Sequence, residues 1–503
     1  MLVRSGDLAG FARRLWRRLR GLWEALKGNT GPIDHEEWRK RWVDLTERER
    51  EVVAGWQSAT RFAVSVGDGS PDAVATTVTS LGAQLHDRGA VGAEAGDADW
   101  VVDLEAGVVL HPAALATVAR AIDADPDLRL VYADHDHLDD GGQPTDPCFL
   151  PDWNPDLFDG LGRIGALAAR HRTVGAEQVT GLDGGVVRHL PFVLASRPTR
   201  LRDADPAPVR PRWPVANPPP RVSVIVPTRD RGRLLESCLA SLRERTRYPD
   251  VEVVVVDHET TERRARRLID GLADDPAAVV VSFTGPFNFA AMCNRGVEAA
   301  SGEVVVLLNN DTEVVADDWL DELVGQLARP EVGVVGALLL FGDGTIQHAG
   351  VHPGVGGLMG HGHKHRPGDD PGYHGRLTVA HEVAAVTGAC LGTSRALWDP
   401  LGGLDEEHLA VAYNDIDLCL KARAAGLRVV LTPHAVLHHY ESVSRGYDDD
   451  PARRARLAAE VATMEERWGD FLYADPAYSP NLSLHGDGFS PAAEPRVIPP
   501  WRA

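Results

Sequence analysis

"VVVLLNNDTEVV", Val304–Val315, is the stretch whose reading decides the fold. Its first half is an apolar run, and it stops abruptly at Asn309, Asn310 and Asp311. Asn and Asp accept turn conformations readily, so these residues can be no more than a strand's exit. In an open α/β sheet, however, ligands bind beyond the carboxyl ends of the strands, and there two amides and a carboxylate make a site. The neighbouring sequence decides between the two readings.

Upstream, "RVSVIVPTRDRG" is a β-branched strand stopped by Pro227, followed by a helix over about Leu234–Thr246. "VEVVVVDHETT" is a second strand, ending at Asp257, and "AAVVVSF" is a third. "FAAMCNRGVEAASG" reads as a helix closed by Gly302. Continuous apolar strands separated by helices imply a parallel sheet covered on both faces. Such a sheet brings Asp257 and Asp311 to one edge. Two later groups converge there, "NDIDLCLKARAAG" from Asn414 to Gly426 and "LHHYES" from Leu437 to Ser442. No GxGxxG follows the first strand, so a phosphate-binding Rossmann site is excluded. The absence of a Gly-rich loop also argues against a nucleotidyltransferase.

Composition bounds the possibilities. The chain has 503 residues and a net charge of -21, which disfavours non-specific binding to nucleic acid. Five scattered cysteines, with no CxxC pair, fit a reducing compartment better than a disulfide framework. No apolar run has the length of a spanning helix, and no secretory h-region is present. The expected location is the cytoplasm. Residues 1–27 differ from the rest. Leu8, Phe11, Leu15, Leu19, Leu22 and Leu26 recur at helical spacing, with Trp16 and Trp23 beside them and a local charge near +5. Such a helix can lie on an anionic membrane surface, here the inner face, or can dock on its own protein.

A second α/β alternation occupies residues 61–200. It is separated from the first by the Pro-rich "LRDADPAPVRPRWPVANPPP", residues 201–220, which reads as a linker. "FAVSV", "ADWVVDLEAGVVL" and "LRLVYADHDHLDDGG" are strand-like there, and "AVATTVTSLGAQL" and "HPAALATVARAIDADP" helix-like.

In order and spacing, "VSVIVPTRDR", "VVVVDHET", "LLNNDTEV", "VTGACL", "GGLDE", "NDIDLCLKARAAG" and "HHYESVSRG" resemble the successive motifs of glycosyltransferase family 2. The C-terminal "RWGDFLYADPAYSPNLSL" is similar to the tail of a tandem-module subgroup that builds bacterial O-antigens and other surface polysaccharides, including rhamnosyltransferase-like enzymes. The resemblance implies an α/β fold of GT-A type. It also implies an inverting, metal-dependent transfer from a nucleotide-sugar donor to a lipid-linked glycan acceptor. The expected divisions are an N-terminal helical segment over residues 1–50, a degenerate GT-A-like module over 51–200, the linker, a catalytic module over 221–446, and a C-terminal helix and tail over 447–503.

Residue by residue, the resemblance makes Asp415 the general base. It puts Pro227, Thr228, Arg229, Asp257, Asn309 and Asn310 at the donor, and Gly388, Ala389, Cys390 and Asp417 at the acceptor. Asp311 and His439 become ligands of a divalent cation, Mn²⁺ or Mg²⁺. The chemistry agrees. A diphosphate leaving group benefits from a cation, and these ions prefer oxygen ligands such as Asp311. An attacking hydroxyl needs a nearby proton acceptor. Asn414 reads as the N-cap of its helix, with Asp417 closing a capping-box-like turn and Asp415 left to face the cleft. Two plainer roles stay open: Asp257 as a cap of the following segment, and His439 as a strand-end residue bonded to backbone.

His361, His363 and His365 alternate in a Gly/Pro-rich loop, with no acidic partner at fixed spacing. They are expected to shape the acceptor site and not to hold a second metal. In the first module Asp103 and Glu105 stand in place of the family's paired aspartates, and no base-bearing helix follows. The alternative to an enzyme is a non-catalytic carbohydrate-binding or assembly protein. The presence together of Asp257, Asp311, Asp415 and His439 favours the enzyme.

Overall fold

The computed structural model describes residues 34–86, 89–91, 98–199, 201, 207–440, 451–469, 471–486 and 488–502. The amphipathic segment 1–27 and the residues following Tyr440 in "HHYESVSRG" lie outside them. Two short helices lead in, α1 (His35–Trp42) and α2 (Glu47–Ala54).

The first module contains strands β1 (Phe62–Val66), β2 (Gly89–Val91), β3 (Trp100–Leu104), β4 (Val109–Leu110), β5 (Leu130–Leu138), β6 (Pro144–Cys148), β7 (Leu167–His171) and β8 (Val187–Pro198). Its helices are α3 (Pro71–Gly82), α4 (Ala114–Ala124) and α5 (Pro155–Leu161). The second module contains β9 (Val222–Thr228), β10 (Val251–His258), β11 (Ala278–Phe283), β12 (Val304–Leu308), β13 (Thr312–Val314) and β14 (Val332–Leu340). It continues with β15 (Ile346–His348), β16 (Val351–Pro353), β17 (Met359–His361), β18 (His381–Glu382), β19 (Cys390–Ser394) and β20 (Arg428–His439). Its helices are α6 (Gly232–Arg245), α7 (Arg263–Gly271), α8 (Phe289–Ala299), α9 (Trp319–Leu327), α10 (Arg395–Leu401), α11 (Asn414–Ala424) and α12 (Pro451–Trp468).

The second sheet runs β11-β10-β9-β12-β19-β14-β20-β13. β9, β10, β11 and β12 are mutually parallel, as their unbroken apolar runs require. Beyond β12 the sheet becomes mixed. β19 enters antiparallel to both β12 and β14, because it is fed by a loop and not by a crossover helix. Apolar side chains fill both faces. Ile225, Val256, Leu307 and Leu391 lie on one side, and Val224, Val255, Val306 and Trp319 on the other.

The first sheet, β2-β1-β3-β7-β5-β8-β4, repeats that order and its strand directions. β1–β3 is parallel, β3–β7 and β5–β7 antiparallel, β5–β8 parallel and β4–β8 antiparallel, matching β9–β12, β12–β19, β14–β19, β14–β20 and β13–β20. This module therefore carries the same architecture in reduced form. Between β7 and β8 it has short 3₁₀ turns at Ala176–Gly181 and Gly184–Val186, where the second module has α10 and α11.

The modules meet over charged and aromatic contacts that account for the "PDWNPDL" segment. Asn154 exchanges hydrogen bonds with the backbone of Glu382 (3.1 Å each way). Asp156 accepts both guanidinium nitrogens of Arg329 (2.8 and 2.9 Å) and pairs with Arg428 (2.7 Å). The tail returns to the first module. Trp501 is buried in its core and stacks on His111, Asn481 donates to Asp134 (2.9 Å), and Arg502 pairs with Glu49 (2.6 Å).

Within the first module His189 is buried between Asp134 (2.8 Å) and Asp152 (3.1 Å). Burial alone disfavours its charge, but the two carboxylates overcome that and lift its pKa to about 9. A raised folded-state pKa contributes stability that is full below the unfolded value near 6.5 and is lost as pH rises through about 9. Denaturant midpoints should therefore fall across that window by the equivalent of about 3 kcal/mol, and His189→Gln should flatten the dependence. An unchanged slope in the variant contradicts the assignment.

Candidate active site

The edge formed by the carboxyl ends of β9, β10 and β12 gathers the residues expected at the donor. Asp257 pairs in register with Thr228. Asn310 Nδ2 donates to Thr228 Oγ1 (2.8 Å), tying the end of β12 to the end of β9. Pro227 and Thr228 are buried in the strand, whereas Arg229 is exposed beyond it. Asp230 and Arg231 then take left-handed backbone, both with φ 55°. The turn is held by Asp230 Oδ1, which accepts from the backbone N–H of Thr261 (2.6 Å) and Glu262 (2.7 Å). These bonds keep the Asp230 carboxyl below the usual carboxylate range. Asp230 was not singled out by sequence; its only signal is its place directly after a strand end. Asp257 does act as a cap, accepting from Thr260 N (3.0 Å), and it pairs with Arg266 (2.9 Å).

Asn309 links the two halves of the site. Its backbone N–H donates to Ala389 O (3.1 Å), and its side-chain amide lies 3.2 Å from His439 Nε2. Asp311 Oδ1 is 3.3 Å from the same nitrogen, and Thr312 pairs with His439 across β13 and β20. A neutral ring protonated at Nδ1, which lies 3.3 Å from Gln347 Oε1, would leave the Nε2 lone pair to the Asn309 amide or to a cation. That tautomer suits a metal ligand. Among the described residues no group of three or more His, Cys, Asp or Glu could hold a metal. The pair Asp311 and His439 nevertheless fits Mg²⁺ or Mn²⁺, which bind through one or two protein ligands and take the rest from phosphate and water. Gln347 had no signal in the sequence, since its contact with His439 spans two separate strands.

Asp415 sits in the first turn of α11, partly buried. Its Oδ2 accepts from Gly388 N (2.7 Å) and its Oδ1 from Ile416 N (2.8 Å). A side chain at position 388 would press on Asp415 Cβ at 3.3 Å, so glycine admits this close approach. The capping expectation is corrected. Tyr413, in left-handed backbone with φ 62°, is the N-cap residue, and no side chain caps the helix. Asn414 instead donates to Leu409 O (3.1 Å). Asp417 lies away from the cleft. It is fully buried and bonded to Arg467 (2.7 Å), Trp468 Nε1 (2.9 Å) and Lys421 (2.8 Å), so it anchors α12 onto α11 and cannot touch an acceptor directly. Cys390 is also fully buried, in β19, and Ala389 joins the same core; only the Gly388 backbone of that trio meets Asp415. Glu460 of α12 holds the approach to α11 by accepting from Val411 N (2.8 Å) and Ala412 N (3.1 Å).

The alternating histidines separate. His361 meets His348 (2.8 Å), His363 accepts from Tyr373 N (3.0 Å), and His365 stacks on Phe341.

Register identifies the first-module residues that stand where Asn309, Asp311 and His439 stand in the second. Trp100 pairs with Phe62 and His171, as Val304 pairs with Val222 and Ser394. Counting on from there, Glu105 stands at the Asn309 position, Gly107 at that of Asp311 and Arg197 at that of His439. Asp103 falls mid-strand, which corrects its expected place beside Glu105. Arg197 is buried and grips Glu105 with two bonds (2.5 and 2.9 Å), while Asp103 pairs with Arg170 (3.1 Å). A guanidinium fixed to the chain therefore lies where the second module places His439.

Residues 223–396 match the family described as Glycosyl transferase family 2. The uncharacterized protein y4gI of Sinorhizobium fredii is 39% identical over 76% of this chain and 48% of its own. The O-antigen biosynthesis protein RfbC of Myxococcus xanthus is 36% identical over 77% of this chain and 34% of its own. The chain thus spans less than half the length of either relative. Among solved structures, a mannosyltransferase of Pyrobaculum calidifontis in complex with GDP-Man and Mn²⁺ is 26% identical, covering 52% of this chain and 71% of that one, at a TM-score of 0.38. GalNAc-T7 with UDP, GalNAc and Mn²⁺ is 17% identical over 51% of this chain and 50% of its own, at a TM-score of 0.40. No helix among the described residues is long and apolar enough to cross a membrane.

Proposed function

The chain carries a glycosyl transferase family 2 domain, and from that premise we propose that its second module moves a sugar, with inversion, from a nucleotide-sugar donor to a growing bacterial surface glycan, an O-antigen or related cell-wall polysaccharide. The observation that carries the reading is one run of contacts along a single sheet edge: Asp415 to Gly388, Ala389 to Asn309, and Asn309 to His439 beside Asp311. The glycan class is supported by the 36% identity to RfbC.

In this reading Pro227, Thr228, Arg229 and Asp257 flank the nucleotide, and Asn309, Asn310 and Asp311 lie beside its diphosphate. Asp311 and His439 would hold a divalent cation, which offsets charge on the diphosphate as the glycosidic bond to it breaks. Asp415 takes the proton of the acceptor hydroxyl as that oxygen attacks the anomeric carbon from the face opposite the diphosphate. Tyr413 and Gly388 fix where that carboxylate stands. A lipid-linked acceptor would give residues 1–27 a purpose at the cytoplasmic face of the membrane.

Thermal-shift screening against nucleotide sugars tests the reading. Stabilisation should come from one donor class and should require Mn²⁺ or Mg²⁺; no response to any donor, with or without metal, overturns it. The first module should add no chemistry. Glu105→Ala strands Arg197 and should cost about 1–2 kcal/mol, below the figure for a fully buried pair because Glu105 is half exposed. Transfer rate and one donor per chain should be unchanged. A second donor bound per chain, measured by calorimetry, contradicts this.

A further inference from the structure

Arg376 is 4% exposed; its Nε is buried with no hydrogen-bond partner, and among the described residues its guanidinium has no carboxylate within ion-pair distance. Arginine carries five N–H donors and stays charged at any ordinary pH. What it does have is aromatic: its guanidinium carbon lies 4.7 Å from the centre of the Phe489 ring and 5.9 Å from that of Tyr373. Cation–π contacts of this kind are worth about 2 kcal/mol when desolvated, whereas burying an ion costs several kcal/mol, so the rings alone do not balance the charge. Asp475, whose field reaches Arg376, is engaged by His352 (3.2 Å). Tyr373 Oη is also taken, donating to Pro147 O (3.0 Å) and accepting from Phe149 N (2.9 Å).

Arg376 lines a small cavity at the junction of the modules, walled by Phe149, Leu150, Phe158, Arg163 and Tyr373. Its volume is ≈ 30 Å³. That exceeds the roughly 10–15 Å³ one water needs and is far below the roughly 300 Å³ of a site for a sugar or nucleotide. The Arg376 guanidinium and mostly apolar walls select against a cation and favour a small, singly charged, weakly hydrated anion, whose attraction to arginine is strengthened by the low local dielectric. Water fits the space but brings no charge.

We propose that this cavity is a binding site for a small monovalent anion of halide size, which supplies the missing counter-charge of Arg376 and joins the loop carrying Tyr373 to the first module. The site is independent of the donor edge and of the reading given to it.

Diffraction from crystals of the full chain soaked in bromide, with data at the bromine edge, tests the proposal directly. An anomalous peak in the cavity within hydrogen-bond reach of Arg376 is expected; waters alone there, with no peak, overturn it. In solution, at constant ionic strength, exchanging gluconate for chloride should raise the melting temperature saturably by a few degrees. Arg376→Met, which keeps bulk and removes the charge, should abolish that response. A wild-type melting temperature indifferent to chloride, or a chloride response intact in the variant, also overturns the site. If Arg376→Met fails to fold, the bromide experiment decides.

Discussion

Asp415→Asn is expected to slow sugar transfer at least about a hundredfold, the low end for loss of a general base, with donor affinity nearly unchanged. The substitution keeps size and removes the proton acceptor. It also meets a local conflict, because both oxygens of Asp415 accept backbone N–H groups, from Gly388 and Ile416. An amide can accept only one of these and turns its NH₂ toward the other. A modest stability loss should therefore accompany the catalytic one, and the two are separable. A melting curve reads the first, and turnover at saturating donor and acceptor reads the second. Near-normal turnover in a folded variant removes Asp415 from its role.

Asp311→Ala should weaken nucleotide-diphosphate binding at least about tenfold when Mn²⁺ or Mg²⁺ is present, because even partners one step removed from a metal typically cost that much. Without metal, binding should be the same as in the parent. Titration calorimetry under both conditions separates the cases. Equal weakening with and without metal means that Asp311 touches the nucleotide directly or shapes the loop, as its backbone bond from Tyr440 N (2.9 Å) would allow.

Several features of the site were legible in sequence because they are local. An apolar run ending in Asn309, Asn310 and Asp311 marks a strand end, and the acidic start of "NDIDLCL" marks a helix entering the same edge. What stayed illegible depends on direction or distance. Asp415 and Asp417 are two residues apart on a helix, about 200° around its axis, so one faces the cleft and the other the core. Which one does so is set by Arg467 and Trp468, fifty residues later. Cys390 is buried because both faces of β19 are covered, although it follows Gly388 closely. The antiparallel entry of β19, the Glu105–Arg197 pair and the solitary Arg376 arise from pairings between distant segments, which leave no period or motif to read.

The return of the tail has a consequence for synthesis. Domains usually complete themselves in the order in which they leave the ribosome. Here the first module emerges early, yet its core includes Trp501, and its buried Asp134 waits for Asn481. The entire second module is translated in between. The earlier-made sheet therefore closes last, and it must keep apolar surface from misassembly until the tail reaches it.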